Sequence, residues 1–349
     1  MTQRGPVRVE DRHLFDVIID ARSPAEFALD HIPGAINCPV LDDDERRIVG
    51  TLYKQQGAFD ARRVGGAMVA ANLARHLRER FADQPHDWKP LVYCWRGGLR
   101  SGSMVTWLRL VGWDAQQLAG GYKPWRHHVI ATIARSSPLM PLRVVCGATG
   151  SAKTRVLHAL RALGEQVLDL EGLACHKGSL LGALPGQPQP SQKGFETGLA
   201  SALENVDLQR PVFVEAESRK IGRISLPTPL IERLRGSPCI EIKASPQARL
   251  DYLLRDYAYL GDDRAALAQL LELLRERHGR ETVTRWQGWA RQGQLADLFG
   301  ELATLHYDPL YEKSQAAHFQ LWTTRRVLSA ETLDDAGIEE LARGVLSCA

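Results

Sequence analysis

A cysteine in a glycine-containing loop is the feature of this chain with the clearest chemistry. Cys94 ends the apolar, strand-like stretch LVYC, opens the string CWRGGLRS, and is followed by the helix-like segment SGSMVTWLRLVG. Such a loop directs several backbone N–H groups at one point and ends at a helix N-terminus, and both features stabilise an anion. We therefore predict that Cys94 is a catalytic nucleophile in its thiolate form. The predicted oxyanion loop around it comprises Trp95, Arg96, Gly97, Gly98 and Arg100.

A second anion-binding loop, GATGSAKT, lies downstream between the strand-like LRVVC and the helix-like RVLHALRAL. That context is the one a P-loop requires, with backbone N–H groups around a phosphate, Lys153 at a terminal phosphate and Thr154 available to Mg²⁺. Ala152 stands where the last glycine of the motif is usual, and its methyl group is tolerable only at negative φ. The predicted diphosphate-binding residues are Gly147, Ala148, Thr149, Gly150, Ser151, Ala152, Lys153 and Thr154.

Two acidic residues follow predicted strands of the second half. Asp169 lies near the end of VLDL, and Glu215 ends the stretch VFVE. Each is predicted either as an acid/base or metal-organising residue or as a helix cap or ion-pair partner. The six cysteines, at positions 38, 94, 146, 175, 239 and 348, include no C-x-x-C pair, so no resident metal and no dithiol motif is predicted. The five cysteines other than Cys94 are expected to be structural.

Composition sets broad limits on what the chain does. At 349 residues, with 44% apolar and 24% charged residues, it has the size and character of about two globular domains. The net charge of +3 does not by itself demand a nucleic-acid partner. The N-terminus lacks the apolar core of a signal peptide, and no apolar run reaches the ~20 residues of a membrane span. We therefore expect a cytoplasmic protein with no membrane partner.

The predicted elements alternate in a way that positions both loops. FDVIIDA reads as a buried strand, SPAEFAL as a helix capped by Ser23, HIPGAIN as a turn with a short strand, and AMVAANLARHLRER as a helix before LVYC. This alternation predicts a parallel α/β sheet. After a linker at SSPLMP, further strands are predicted at 142–146, 167–170 and 212–215, and from Ser245 onward the pattern is helical.

With these residues in view, the chain resembles a known family. The string DARSPAEFALDHIPGAIN is similar to the early signature of rhodanese domains, and Cys94 stands at their active cysteine. Several longer strings, spread over nearly the whole chain, together resemble tRNA 2-selenouridine synthases. They are VGTLYKQQG, YCWRGGLRSGSM, LAGGYKPWR, LDLEGLACHKGSLLG, QPSQKGFE, VEAESRKIG and HYDPLYEKS. The resemblance implies an α/β fold with a rhodanese-like parallel-sheet domain over 12–135. A P-loop NTPase-like α/β domain with a helical C-terminal portion follows over 141–349.

The resemblance also implies a function. Such enzymes replace the sulfur of wobble 2-thiouridine in tRNA with selenium from selenophosphate, and they are associated with S-geranylation of the same base from geranyl diphosphate. The implied partners are therefore a tRNA bearing 2-thiouridine and a supplier of selenophosphate. Cys94 would carry selenium as a selenenylated cysteine, Arg96 and Arg100 would orient the anionic donor, and the P-loop would bind geranyl diphosphate. No tightly bound cofactor is expected, and Mg²⁺ is compatible with the P-loop.

Basic and aromatic residues of the second half suggest where tRNA binds. Arg219, Lys220 and Arg223 are the predicted phosphate contacts. Trp286 and Trp289, three residues apart on a predicted helix, are more typical of a core than of a base-stacking platform.

Two other classes of function stay open on the residues alone. Cys94 and Arg100 also satisfy the C-x5-R spacing of cysteine-dependent phosphatases. A cysteine-dependent sulfurtransferase or phosphatase fused to a small-molecule kinase is therefore an alternative. The other alternative is a non-catalytic tRNA- or protein-binding module with degenerate loops. The intact CWRGG string, Lys153 and Thr154 argue against that second reading.

Overall fold

The computed structural model describes residues 7–348, and the chain divides into two compact units. Unit 1 comprises the residues up to Thr132 together with Ser191–Ala200, and unit 2 comprises Ile133–Pro190 and the residues from Ser201 on. Within the described residues, no helix has both the length and the apolar character needed to cross a membrane.

Unit 1 is built around a four-stranded parallel sheet. Its strands are β1 (Val17–Asp20), β2 (Ile36–Asn37), β3 (Pro90–Tyr93) and β4 (Gln116–Gln117), in the spatial order β2-β1-β3-β4. Its helices are α1 (Pro24–Leu29), α2 (Asp43–Gln55), α3 (Ala58–Glu79), α4 (Leu99–Val111) and α5 (Tyr122–Ser136), the last of which continues into unit 2. The predicted alternation of strands and helices in this half is confirmed, including the capping box of Ser23 and Glu26 at the start of α1.

A buried ion pair fixes the end of β1 beside the loop of Cys94. Asp20 and Arg22 are 0% and 1% exposed, and the Arg22 Nη2 to Asp20 Oδ2 distance is 2.6 Å. Arg22 also donates to the Asp30 carbonyl at 2.7 Å, and its guanidinium lies 4.0 Å from the ring centroid of Tyr122. Because the guanidinium and the carboxylate satisfy each other, neither is left as an uncompensated buried charge.

A segment remote in sequence completes unit 1. Residues 191–200 lie inside the region predicted as the second domain, but they pack with unit 1. Arg126 forms ion pairs with both Asp30 and Glu196, and the Ser191 hydroxyl donates to the Leu29 carbonyl. These polar contacts tie the first residues of helix α8 (Gln192–Glu204) to unit 1.

Unit 2 contains a five-stranded parallel sheet. Its strands are β5 (Leu142–Cys146), β6 (Gln166–Leu168), β7 (Val212–Glu215), β10 (Cys239–Ala244) and β11 (Arg326–Ala330), in the spatial order β11-β10-β5-β7-β6. A two-stranded antiparallel hairpin, β8 (Lys220–Ile221) and β9 (Ile224–Ser225), follows β7. The central strands β5 and β7 are mostly apolar and buried, interrupted only by Arg143 in β5 and ended by Glu215 in β7, which is typical of strands covered on both faces.

The helices of unit 2 form two groups. Those around the sheet are α6 (Lys153–Ala162), α7 (Leu170–Ala174), α9 (Thr228–Arg235), α10 (Pro246–Asp256) and α15 (Asp335–Ser347). A helical subregion is formed by α11 (Arg264–Leu271), α12 (Arg275–Gln292), α13 (Leu295–Leu302), a π-helical turn (Ala303–Tyr307) and α14 (Asp308–His318). This subregion has its own apolar core, which includes Trp286 and Phe299.

Two details of unit 2 differ from the predicted elements. The strand predicted at 167–170 ends at Leu168, because Asp169 caps α7 and Leu170 begins it. The C-terminal region, predicted to be helical, also contains β11, which pairs in parallel with β10 from Ile240 to Ala244. Its short, partly exposed pattern lacks the apolar run that signals a buried strand.

Removal of the Arg22 charge should destabilise unit 1. We expect Arg22→Met to lower the free energy of unfolding by about 3–5 kcal/mol, because the buried Asp20 carboxylate would lose its counter-charge. Urea unfolding followed by circular dichroism measures the change. The matched control is Arg47→Met, which removes an exposed pair with Asp44 and should cost less than about 1 kcal/mol. Equal effects of the two substitutions would contradict a structural role for the buried pair.

Candidate functional site

Cys94 lies at the carboxyl end of β3, where the strand gives way to α4. The residue is only 3% exposed, so the thiol sits at the base of the loop rather than on the surface. Within residues 7–348, the N–H groups of residues 95–98 donate to no protein acceptor. Together with the N-terminus of α4, these free donors form a cradle whose geometry suits the anion that the sequence analysis expects there.

Glycines allow a second loop to close against the first. Gly97 has φ +65°, and the Tyr122 N–H donates to the Cys94 carbonyl at 2.8 Å. A Cβ atom at Gly121 would lie 2.2 Å from the Cys94 carbonyl oxygen and 2.5 Å from the Gly97 nitrogen. The backbones of LAGG and CWRGG therefore meet without intervening side chains, and this contact holds the shape of the cradle.

Two polar residues that the sequence analysis missed contact the thiol or support it. The buried Ser101 hydroxyl donates to Cys94 Sγ at 3.1 Å, and the Gln117 amide donates to the Ser101 hydroxyl at 2.8 Å and to the Gly98 carbonyl at 3.1 Å. These hydrogen bonds fix the Ser101 hydroxyl as a donor directed at the Cys94 sulfur. Ser101 lies one turn into α4, where its pairing with Cys94 could be read from the helical spacing.

The two predicted arginines occupy different environments. Arg100 donates to the Glu26 carboxylate at 2.7 Å, and Arg46 also pairs with that carboxylate. Burial alone would raise the pKa of Glu26, but the hydrogen bond and charge of Arg100 and the charge of Arg46 lower it. Arg96 is exposed and has no partner within the described part of the chain. In this structure, Arg96 is the guanidinium available to an incoming anion, whereas Arg100 is held by α1.

Trp95 forms an aromatic wall beside the cradle. Its ring stacks on Tyr122 with 5.3 Å between centroids, and the Lys193 ammonium lies 5.6 Å from the Trp95 ring. Lys193 belongs to the segment 191–200, so that segment brings a cation to the vicinity of the loop.

In unit 2, the predicted P-loop connects β5 to α6. The Lys153 ammonium donates to the carbonyls of Gly147 at 2.8 Å and Ala148 at 3.4 Å. The Ser151 hydroxyl is buried and has no hydrogen-bond partner among the described residues. A Cβ atom at Gly147 would lie 2.3 Å from that hydroxyl oxygen, so the loop has no room for a side chain there. A buried hydroxyl that has no partner, in a loop without room for a side chain at Gly147, can donate a hydrogen bond to a phosphate oxygen.

The sequence analysis expected a negative φ at Ala152, because a methyl group is tolerated there, and the structure shows a positive φ instead. Ala152 has φ +55° and ψ +27°, the left-handed conformation, where a residue with a Cβ costs about 1–2 kcal/mol. The side chain is 3% exposed and packs in the apolar core with Val156 and Ile242. Burial of the methyl group offsets part of the backbone strain, and the N-terminus of α6 begins directly afterwards.

An acidic cluster faces the P-loop threonine. The Thr154 hydroxyl lies 3.0 Å from carboxylate oxygens of both Glu171 and Glu215, and Glu171, Glu215 and Glu217 each offer an oxygen within 4.8 Å of the others. Burial and the charge of Glu171 raise the pKa of Glu217 to about 8. Burial and the neighbouring carboxylates raise the pKa of Glu215 well above its usual value. Converging, protonation-prone carboxylates beside a P-loop threonine are a donor set suited to Mg²⁺.

Asp169 has the structural role that the sequence left open as an alternative. Its carboxylate accepts from the Gly172 N–H at 2.7 Å as the N-cap of α7, and it pairs with His158 at 2.9 Å. Glu171 and Glu217, which the sequence analysis missed, join Glu215 instead. The alternation of Glu215 and Glu217 after a buried strand was the signal that could have found Glu217.

The P-loop and the acidic cluster border one cavity of about 390 Å³. Its polar end includes Lys153, Thr154, Glu171 and Glu217. Lys177 also faces it, and that ammonium is held by the Asp256 carboxylate at 2.8 Å. An apolar recess adjoins this cavity and shares five of its lining residues. The shared residues are Thr149, Ser179, Leu253, Tyr257 and Tyr307, and the recess adds Leu181, Phe299 and Leu302.

The predicted tRNA contacts lie on and beside the hairpin that follows β7. Arg219, Lys220 and Arg223 are exposed, and Arg223 donates to the Gln189 carbonyl. The chain leads to them directly from Glu217 and Ser218, which border the cavity. The prediction that Trp286 belongs to the core is confirmed, since it is 0% exposed, and Trp289 is half-buried under Arg285.

Models of two protein families match separate parts of this chain. Residues 140–279 match the tRNA 2-selenouridine synthase AAA domain, and residues 8–128 match the rhodanese-like domain.

Individual relatives carry the name tRNA 2-selenouridine synthase. The one from Nitrosomonas europaea is 41% identical over 69% of this chain and 63% of its own length. The one from Cupriavidus pinatubonensis is 34% identical over 86% of this chain and 90% of its own length. The one from Marinobacter nauticus is 33% identical over 84% of this chain and 87% of its own length. The chain thus spans less than two thirds of the first relative and most of the other two.

The acidic cluster should make stability depend on pH and on divalent cations. A carboxyl whose folded pKa is raised to about 8 binds a proton in the folded state that the unfolded state has released, so stability falls as pH rises from about 5 to 8. We expect Glu217→Gln to flatten this decline, measured as the thermal midpoint at several pH values. We also expect millimolar MgCl₂ to raise the midpoint of the wild type at pH 8 and not that of Glu217→Gln.

The matched control for this prediction is Glu340→Gln, which neutralises an exposed carboxylate on α15. It should leave both the pH dependence and the MgCl₂ response as in the wild type. A Glu217→Gln profile identical to that of the control would contradict the account of the cluster.

Proposed function

The chain belongs to the tRNA 2-selenouridine synthase family, and we propose that it converts wobble 2-thiouridine in tRNA to 2-selenouridine with selenophosphate as the donor. We further propose that S-geranyl-2-thiouridine, formed from geranyl diphosphate, is the intermediate. Two glycine-containing loops with unpaired donors, one per unit and each at a strand–loop–helix junction, support the proposal most directly.

Unit 1 supplies the selenium-transfer chemistry of the proposal. Selenophosphate is a small anion, and the unpaired N–H groups of residues 95–98 with the exposed Arg96 suit its phosphate oxygens. Cys94, supported by the Ser101 hydroxyl, accepts the phosphoryl group rather than the selenium, because the selenium of selenophosphate is already at the selenide level and a Cys94–Se bond would need an oxidant. An S–P bond forms as the P–Se bond breaks, the released selenide goes to C2 of the base, and water then removes the phosphoryl group as phosphate. Arg100 acts by positioning, since its ion pair with Glu26 joins the start of α4 to α1.

Unit 2 supplies the geranylation chemistry of the proposal. The P-loop N–H groups, the Ser151 hydroxyl and Lys153 suit a diphosphate, and they would stabilise the charge that develops as it leaves. The apolar recess beside the loop, of about 20 Å³, would contact only part of a hydrocarbon chain, and the rest of the chain would lie in the adjoining cavity of about 390 Å³. Glu171, Glu215 and Glu217 with Thr154 would hold a Mg²⁺ ion, which neutralises diphosphate charge when it is bound.

Geranylation prepares the base for substitution. A thione sulfur double-bonded to C2 is a poor leaving group, whereas an S-alkyl sulfur can depart as a neutral thiol. Attack of the released selenide on C2 then forms the C2–Se bond, and the C2–S bond breaks as geranyl thiol leaves. This order explains why one chain would combine a diphosphate site with a reactive cysteine.

The alternative of a cysteine-dependent phosphatase fused to a small-molecule kinase is less well supported. A phosphatase of the C-x5-R type needs its arginine around the phosphate, and Arg100 is engaged with Glu26. Phosphatase or thiosulfate sulfurtransferase turnover together with ATP hydrolysis, without any change in the tRNA, would favour that alternative.

Substitution of the two loops should separate the two chemical steps. We expect Cys94→Ser to abolish 2-selenouridine while S-geranyl-2-thiouridine still forms, because the P-loop is intact. We expect Lys153→Met to reduce geranylation by about 10²–10³-fold, because the leaving diphosphate loses its cation. Mass spectrometry of tRNA nucleosides after incubation with both donors reads both products.

The controls are Cys175→Ser, a half-buried cysteine distant in sequence from the loop, and Lys243→Met, an exposed lysine at the end of β10. Both should retain the two products. Full selenation by Cys94→Ser would show that this cysteine takes no part in the release of selenium from selenophosphate, and full geranylation by Lys153→Met would remove the P-loop from the reaction.

Electrostatic contacts of the hairpin should govern tRNA affinity. We expect the double variant Arg219→Gln, Lys220→Gln to bind tRNA more weakly and to reduce the slope of log K against log salt by roughly 1.5, since about 0.7–0.9 is lost per phosphate contact. Filter binding over a range of KCl concentrations measures this slope.

The matched control for tRNA binding is Lys54→Gln, Arg62→Gln, which removes the same charge from exposed helix positions in unit 1. If the control and the hairpin variant reduce the slope equally, the hairpin is not a specific tRNA contact.

A further inference from the structure

Two interruptions of regular helix bring a pair of histidines together in unit 2. Gly279 interrupts α12 with φ +79° and ψ 168°, directly after His278. The π-helical turn Ala303–Tyr307 follows α13 and contains His306. A non-glycine residue would be strained at Gly279, and π-helical turns occur frequently at functional sites. Both irregular segments therefore serve to direct imidazole rings that a regular helix would direct elsewhere.

The two imidazoles are in direct contact. His278 Nε2 and His306 Nδ1 are 2.9 Å apart, and the ring centroids are 5.0 Å apart at an interplanar angle of 72°. The pair is braced by the buried Trp286, whose ring centroid lies 5.0 Å from that of His278 and whose N–H donates to Glu301 at 2.6 Å. The shared hydrogen bond therefore fixes the orientation of both rings.

His306 borders the cavity of the P-loop. The residue is 8% exposed and lines the same cavity as Lys153 and Thr154. Its Nδ1 is engaged by His278, so Nε2 is the ring nitrogen left to a ligand. Burial, together with His278 and Arg277, lowers the pKa of His306 to about 4. The ring is therefore neutral at physiological pH and can accept a proton.

The proposed geranylation requires a proton acceptor. When the thione sulfur of 2-thiouridine is alkylated, the C2–S bond becomes single and a C2–N3 double bond forms. The proton on N3 must then leave, or the product would carry a positive charge. None of the P-loop residues is suited to this task, since the loop contributes N–H groups, hydroxyls and an ammonium that serve the diphosphate.

We propose that His306 is the general base that removes the N3 proton of 2-thiouridine during S-geranylation, and that His278 is a positioning residue that fixes its ring and relays the proton. The inference rests on the proposed function. In the step, sulfur forms a bond to C1 of the geranyl group as the C1–O bond to diphosphate breaks. The N3 proton passes to His306 Nε2, and His306 passes its Nδ1 proton to His278 Nε2.

The groups facing His306 are few. His278 and Arg277 approach from α12, and the Tyr307 ring lies 4.8 Å away within the same turn. The other charged residues that line this cavity are Lys153, Glu171, Lys177, Glu217 and Asp256. The positive neighbours favour the neutral imidazole, so the wild-type rate of geranylation should not depend on His306 protonation between pH 6 and 8.

The test is the single-turnover rate of S-geranyl-2-thiouridine formation on 2-thiouridine tRNA with geranyl diphosphate, measured from pH 6 to 9. We expect His306→Asn to lower the rate at pH 7 by at least about 100-fold, the lower range for loss of a general base. Its rate should then rise with pH, because hydroxide replaces the base, whereas the wild-type profile stays flat. Added imidazole should restore His306→Ala and leave the wild type unchanged.

A second variant and a control separate catalysis from folding. His278→Asn should lower the rate less than His306→Asn does, and both variants should bind geranyl diphosphate as the wild type does. His86→Asn, an exposed histidine of unit 1, should have no effect.

If the wild type forms the geranylated base and His306→Asn does so at the same rate with a flat pH profile, this inference is overturned and the proposed function stands. A slower His306→Asn with a flat profile and no response to imidazole would also overturn it, in favour of a structural role. A wild type that forms no geranylated base would overturn the proposed function and this inference together.

Discussion

The structure depends on unpaired backbone N–H groups gathered at the carboxyl ends of buried parallel strands. In each unit a strand of apolar residues ends, a glycine-containing loop turns, and a helix begins, so that several donors converge without a protein acceptor. Glycine is required where the backbones meet, as at Gly121 against Cys94. The loop of unit 1 contains the Cys94 thiol, and the loop of unit 2 is followed by the Lys153 ammonium. Similar loops can therefore serve different chemistry in the two units.

Each anion site is balanced by charges that other elements supply. In unit 1, Glu26 takes up Arg100 and leaves Arg96 exposed, and residues 191–200 bring Lys193 to the wall of the cradle. In unit 2, the carboxylates of Glu171, Glu215 and Glu217 lie close together, and their burial and mutual repulsion raise their pKa values. A cation, or the protons that replace it, relieves this repulsion. In the proposed function, the acidic cluster and the P-loop would therefore act together as one diphosphate site.

The sequence predicted what local patterns encode and missed what depends on tertiary packing. Strands β1, β3, β5 and β7 and the two loops could be read from apolar runs and glycines, because these signals are contiguous. Helical spacing and strand alternation could have pointed to Ser101 and Glu217 as partners of Cys94 and Glu215, but only once the register of the helix and of the strand was known. The edge strand β11 lacks an apolar run, and the left-handed backbone of Ala152 contradicts the negative φ that its side chain suggested. The His278–His306 pair depends on two helix irregularities far apart in sequence.

In the proposed reaction, geranylation precedes and enables the replacement of sulfur by selenium. The most direct test is mass spectrometry of nucleosides from 2-thiouridine tRNA incubated with the wild-type protein and geranyl diphosphate, selenophosphate, or both. The account predicts S-geranyl-2-thiouridine with geranyl diphosphate alone, and 2-selenouridine when both are present. Formation of 2-selenouridine from selenophosphate alone, or an unchanged base in all three reactions, would contradict it.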